Sequence, residues 1–168
     1  MKTVYLDNNA TTMVAREVVE EMLPYLGEYY GNPSSMHTFG GQVAHKVAEA
    51  RLKIASLLGA DPEEIIITSC GTESDNTAIL SALANNPSKN HIITSRVEHP
   101  AVKVLCEGLA RKGYRVTFIP VDPEGRLDMD EYAASLTPDT AIVSIMWANN
   151  ETGVIFPVET AARLARER

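Results

Sequence analysis

The sequence predicts an α/β protein, a mostly parallel sheet with helices on its faces. Three observations carry this reading. Short apolar runs recur at residues 65–68, 91–95, 115–119 and 141–146. Longer segments between them carry apolar residues at helical spacing. Glycine and proline punctuate the junctions, with Pro at helix starts and Gly after helix ends. Strands alternating with helices need crossover connections, and these produce a parallel sheet covered on both sides.

Each element can be justified in turn. Residues 5–12, YLDNNATT, read as a short strand and a polar turn. Residues 15–30 read as a helix that stops before Gly31. The loop GNPSSMH at 31–37 is polar and offers no mechanism of its own. Residues 41–58 form a stronger helix, with Val43, Val47, Ala50, Ile54, Leu57 and Leu58 on one face and Gly59 as its stop. Residues 65–68 have the continuous apolar pattern of a strand buried on both faces. Helix 72–84 follows, then strand 91–95. Pro100 occupies the first turn of a helix over 100–112, which Gly113 terminates. Strand 115–119 precedes a helix opening at Leu127-Asp128, where Asp128 and Glu131 form a capping-box-like pair. Strand 141–146 and a helix from Pro157 complete the order. The sequence ends at Arg168 inside a helical pattern, so it is expected to be the first part of a longer protein with an incomplete sheet. Residues 1–15 are expected to form an N-terminal arm, and residues 16–168 carry the alternating helix and strand pattern.

Composition excludes several classes. A chain of 168 residues with 45% apolar content can bury one sizeable core. A net charge of −7 without a basic run argues against nucleic acid and anionic membrane as partners. No apolar run approaches the roughly 20 residues of a membrane span. The N-terminus lacks the apolar stretch of a secretory signal. Cys70 and Cys106, the two cysteines, read as reduced thiols of a cytoplasmic protein. His37, His45 and His91 have no metal-ligand spacing and read as structural, so no metal site is expected.

Three polar clusters sit where strands are expected to end. The first is TSCGTESDN, residues 68–76. Gly71 leaves room for a close ligand, and Thr72 lies near a helix N-cap with Asp75 three residues on. Free N–H groups and the helix dipole favour an anion there. A phosphate site and an ordinary capped turn both fit these residues. Cys70 reads as a small residue packed where the backbone is tight; a thiolate favoured by the helix end is the alternative. The second cluster is VEHP, where His99 can stack on a flat ring, shuttle a proton or simply cap a helix. The third is WANNETG, residues 147–153, with two adjacent Asn and a Glu, which also suits a plain turn. Three clusters on one rim of an α/β sheet point to a flat, phosphorylated ligand.

YLDNNATT, GNPSSMHTFG, TSCGTESDN, HIITSRVEHPAV and SIMWANNETG, in this order and spacing, resemble the cysteine desulfurases. These are class-V, fold-type-I pyridoxal phosphate (PLP) enzymes. CGTESD and MWANNETG look more like the NifS type, associated with nitrogenase cluster assembly, than the housekeeping IscS type. The resemblance implies that residues 16–168 are part of a PLP-binding large domain. It implies that Gly71 and Thr72 hold the PLP phosphate, that His99 stacks on the ring and helps proton transfer, and that Asn150 bonds the ring 3′-oxygen. It places the turn at Asn8–Thr11 near the substrate. It implies removal of sulfur from L-cysteine, leaving alanine and an enzyme persulfide that feeds an iron–sulfur scaffold protein, and a homodimer when full-length. Within the same PLP class, selenocysteine lyase is an alternative; a non-catalytic phosphate-binding or interaction module is another.

The family's ring-nitrogen Asp, Schiff-base Lys, substrate Arg and persulfide Cys have no counterparts here. None of Lys2, Lys46, Lys53, Lys89, Lys103 and Lys112 follows a Ser-x-His. Cys70 is accordingly expected to neighbour the phosphate cradle rather than act as the nucleophile. The 168-residue chain alone is expected to be inactive.

Overall fold

The computed structural model describes residues 3–168, which divide into two compact units at Ile67/Thr68. The first unit carries helices α1 (Arg16–Gly27) and α2 (Thr38–Leu58) and a 3-10 turn at Pro62–Glu64. His37 caps α2, its Nδ1 accepting the Gly40 N–H at 3.1 Å. Gly59 ends the helix in the left-handed region (φ 67°), where only a residue without Cβ is unstrained. Asp61 and Glu64 form a reciprocal capping box on the 3-10 turn. Two expected strands are absent. Residues 5–12 hold a turn in which the Ala10 N–H donates to Asp7 C=O at 3.2 Å, without strand pairing. Residues 65–68 form no strand; Ile65 has extended backbone, Ile66 and Ile67 are exposed, and the Ile65 carbonyl accepts from the Arg51 guanidinium.

The second unit holds α3 (Gly71–Asn85), β1 (His91–Ser95), α4 (Pro100–Arg111), β2 (Arg115–Ile119), α5 (Met129–Ser135), β3 (Thr140–Ser144) and α6 (Val158–Arg166). The three strands are parallel in the order β2-β1-β3. The central strand β1 is buried along its whole length, as expected of a parallel strand covered on both faces. Its alternation builds two cores. Ile92 faces Ile79, Leu83, Val102, Cys106 and Leu109 of α3 and α4. Ile93 belongs to the opposite core with Ile119, Tyr132, Phe156 and Ala161. The Tyr132 hydroxyl donates to the Ala161 carbonyl at 2.7 Å, joining α5 to α6 inside that core. Asp128 caps α5 as its spacing predicts, accepting the Glu131 N–H at 2.8 Å.

The order matters for function. From β1 the chain crosses through α4 to β2 on one side, then through α5 to β3 on the other side of β1. The direction of winding therefore reverses between β1 and β3. In open α/β sheets, ligands gather outside the carboxyl ends of the strands at such a reversal.

Candidate functional site

The segment 68–76 opens α3. The helix begins at Gly71, one residue before the expected start, so Cys70 and not Thr72 is the N-cap residue. Cys70 has extended backbone and makes no side-chain cap bond. Local bonds shape the loop around it. The Glu73 carboxylate turns back to accept from the Ser69 N–H at 2.7 Å and the Ser69 hydroxyl at 2.6 Å. The hydroxyls of Thr68 and Ser74 lie 2.5 Å apart, and the Thr68 hydroxyl also reaches the Cys70 carbonyl. The bonds from Ser69 hold the Glu73 carboxyl below its ordinary range.

Cys70 is exposed rather than packed, contrary to the expectation of a small buried residue. Its thiol is held below the ordinary range, first by the Glu73 N–H and then by the Ser69 hydroxyl and the Thr72 N–H. The first-turn amides thus meet a developing negative charge, as the dipole argument requires. A Cβ placed on Gly71 would meet nothing within 4 Å, so the space before this helix end is open.

His99 follows β1 and caps α4, its Nδ1 accepting the Ala101 N–H at 3.1 Å. With Nδ1 committed as an acceptor, the neutral ring carries its proton on Nε2. Thr72, Asn76 and His99 line one cleft of about 530 Å³, walled on its apolar side by Pro100, Ala101, Val104 and Leu105. The structure therefore brings Thr72 and His99 together and sets Gly71 at the same helix end. Asn76 was not singled out by sequence. It is half-buried, and its Oδ1 is buried without a hydrogen-bond partner among the described residues. Its spacing one turn beyond Thr72 on the same helix was the available signal.

Asn150 is not among the residues that line this cleft; it lies on the exposed tip of the turn after β3, where its Nδ2 donates to Glu151 Oε1 at 3.2 Å. Its neighbour Asn149 builds the turn. The buried Asn149 Oδ1 accepts from the N–H groups of Glu151 and Thr152 and from the Thr152 hydroxyl, at 3.0, 2.9 and 3.2 Å. Gly153 (φ 76°) closes the loop, donating to the Asn149 carbonyl at 2.8 Å. Glu98, also missed, is buried behind His99. Burial pushes its carboxyl above the ordinary range, and Asp75 adds to this; the Met146 N–H, the Ser95 hydroxyl and His99 pull the other way.

The donor set suits a phosphorylated ring. A helix N-terminus with a hydroxyl and open space at Gly71 takes an anion, and an imidazole with apolar neighbours takes a flat ring. Among the described residues there is no group of three or more His, Cys, Asp or Glu placed to hold a metal ion. Nor, among those residues, is any helix long and apolar enough to cross a membrane.

The chain is 58% identical over all 168 residues to the cysteine desulfurase of Trichormus azollae, spanning 42% of that protein's length. It is 58% identical over 166 residues to the cysteine desulfurase NifS of Azotobacter vinelandii, covering 98% of this chain and 41% of that one. A solved structure titled NifS-like protein superposes with a TM-score of 0.93 at 42% identity, over 98% of this chain and 45% of the other. The chain thus spans less than half the length of these relatives. The family model described as aminotransferase class-V matches residues 4–168, and the chain belongs to that family.

Proposed function

We propose that this chain supplies the phosphate-binding and ring-covering part of the PLP site of a NifS-type cysteine desulfurase. The observation that carries the reading is the shared cleft of Thr72 and His99 at the N-terminal ends of α3 and α4. Gly71 and Thr72 hold the phosphate through the first-turn amides and the hydroxyl. His99 covers the ring, and its Nε2 is the nitrogen available to donate a proton. Asn150 bonds the ring 3′-oxygen. When bound, PLP supplies the electron sink that weakens bonds at the substrate's α-carbon.

The substrate on this reading is L-cysteine, with alanine as product and an iron–sulfur scaffold protein as sulfur acceptor. The working protein is a homodimer in the cytoplasm. The relatives' names support the activity. The acidic charge and the two free thiols, Cys70 and Cys106, support the compartment.

The test is alanine formation from L-cysteine by the complete gene product, with PLP binding followed by absorbance. Expected are a bound-PLP absorption band and PLP-dependent alanine, with His99→Ala losing most turnover. A protein that takes up no PLP, or that forms alanine equally with His99→Ala, would overturn the proposal.

A further inference from the structure

The backbone ladder between β1 and β3 ends at Thr94 and Ser144. The residues assigned to the ligand lie beyond that point, His99 after β1 and Asn150 after β3. Parallel strands part at a reversal of winding, so something else must fix the two segments to each other there. Two buried side chains do so. Glu98, 8% exposed, accepts from the Ser95 hydroxyl at 3.1 Å and from the Met146 N–H at 2.8 Å, both through Oε1. Ser95 ends β1, and Met146 lies two residues past the end of β3. The carboxylate therefore carries a strand-to-strand connection beyond the last ladder pair. Asn149, 7% exposed, makes the second tie, its Nδ2 donating to the Val97 carbonyl at 3.1 Å while its Oδ1 gathers the turn.

We propose that Glu98 is a positioning residue, which with Asn149 clasps segment 146–153 to segment 97–99 and so fixes the spacing of Asn150 and His99. The inference rests on the PLP reading for what that spacing serves. A buried carboxylate is costly unless bonded, and an apolar residue would suit the core better than Glu98. What a carboxylate offers here is a strong acceptor aimed at one amide of the neighbouring segment. The clasp acts on binding through geometry: a single rigid ring contacts both segments only if their separation is set beforehand.

The experiment compares Glu98→Ala and Glu98→Gln in the complete gene product by hydrogen exchange and by PLP affinity. Glu98→Ala should speed amide exchange in peptides covering 146–153 and raise the PLP Kd about tenfold, the scale of a lost positioned contact. Peptides covering Met129–Ser135 and Val158–Arg166 should keep their protection. Glu98→Gln retains the acceptor oxygen and should restore both readouts. If Glu98→Ala does not fold, Asn149→Ser removes the second tie and should speed exchange in the same peptides. Unchanged exchange at 146–153, equal loss in every peptide, or a Glu98→Gln variant as impaired as Glu98→Ala would each overturn the clasp. Exchange needs no cofactor, so a wild-type protein that fails to bind PLP would sink the functional reading while the exchange data still decide the clasp.

Discussion

His91 Nδ1 lies 2.9 Å from the Thr140 hydroxyl, across the β1–β3 junction, while its Nε2 lies 2.8 Å from the Thr117 hydroxyl on β2. One buried imidazole thus bridges all three strands. Burial depresses its pKa below 6.5, helped by Arg115 and opposed by Asp139. The folded state therefore holds the proton more weakly than the unfolded chain. Neutral His91 contributes stability that is fully present above pH 6.5 and is lost as pH falls below it towards the folded pKa. Urea unfolding at pH 7.5 and pH 5 should show wild type losing more stability on acidification than His91→Gln. Equal losses in the two proteins would refute the linkage.

Side-chain truncation should rank by core. Ile93 and Tyr132 are fully buried in the core beneath α5 and α6. Ile93→Ala removes packed volume at the central strand and should cost about 2–5 kcal/mol. Tyr132→Phe keeps the ring and loses only the bond to the Ala161 carbonyl, for about 1 kcal/mol. Denaturant midpoints measure both. A Tyr132→Phe loss as large as that of Ile93→Ala would mean that the hydroxyl organises more than this one contact.

The sequence was most legible where local chemistry and tertiary packing agree. Strands 91–95 and 115–119 were read with the observed bounds, because apolar runs between Gly and Pro signals met backbone partners. Residues 65–68 carry an equally apolar run but form no strand. A strand is defined by the neighbour that takes its N–H and C=O groups. The Ile65 carbonyl takes a guanidinium instead. That Thr72 and His99 would lie on one rim was legible because a helix N-terminus and a strand end are local features. Glu98 and Asn149 were not, because their work is done across about 50 residues of sequence, on Met146 and Val97. In sequence they read as an ordinary acid before a histidine and half of an Asn-rich turn.

The two cysteines should differ sharply in reactivity. Cys70 is exposed with its thiol held below the ordinary range by the Glu73 N–H and the Ser69 hydroxyl, whereas burial pushes Cys106 up to about 11. Alkylation near pH 7.5 should modify Cys70 within minutes and leave Cys106 intact until the protein is unfolded. Ser69→Ala should slow Cys70 by raising its pKa. Labelling of Cys106 in the native protein at the rate of Cys70 would contradict the burial of α4's inner face.

Thr72 gives the most direct test of the proposed anion site, because its hydroxyl and amide stand in the first turn of α3. Thr72→Val preserves shape and removes one donor to an ionised group, worth roughly 1.5–3 kcal/mol. Each 1.4 kcal/mol is a factor of ten, so the PLP Kd should rise by about tenfold or more. Pyridoxal without its phosphate should bind wild type and variant alike, since the lost donor has no partner on it. Cys70 offers an independent check, because the amides that lower its pKa belong to Thr72 and Glu73. Inorganic phosphate or PLP seated at that helix end should therefore slow Cys70 alkylation in wild type and do so less in Thr72→Val. Equal PLP affinity in the two proteins, together with alkylation indifferent to phosphate, would remove α3's N-terminus from the binding site.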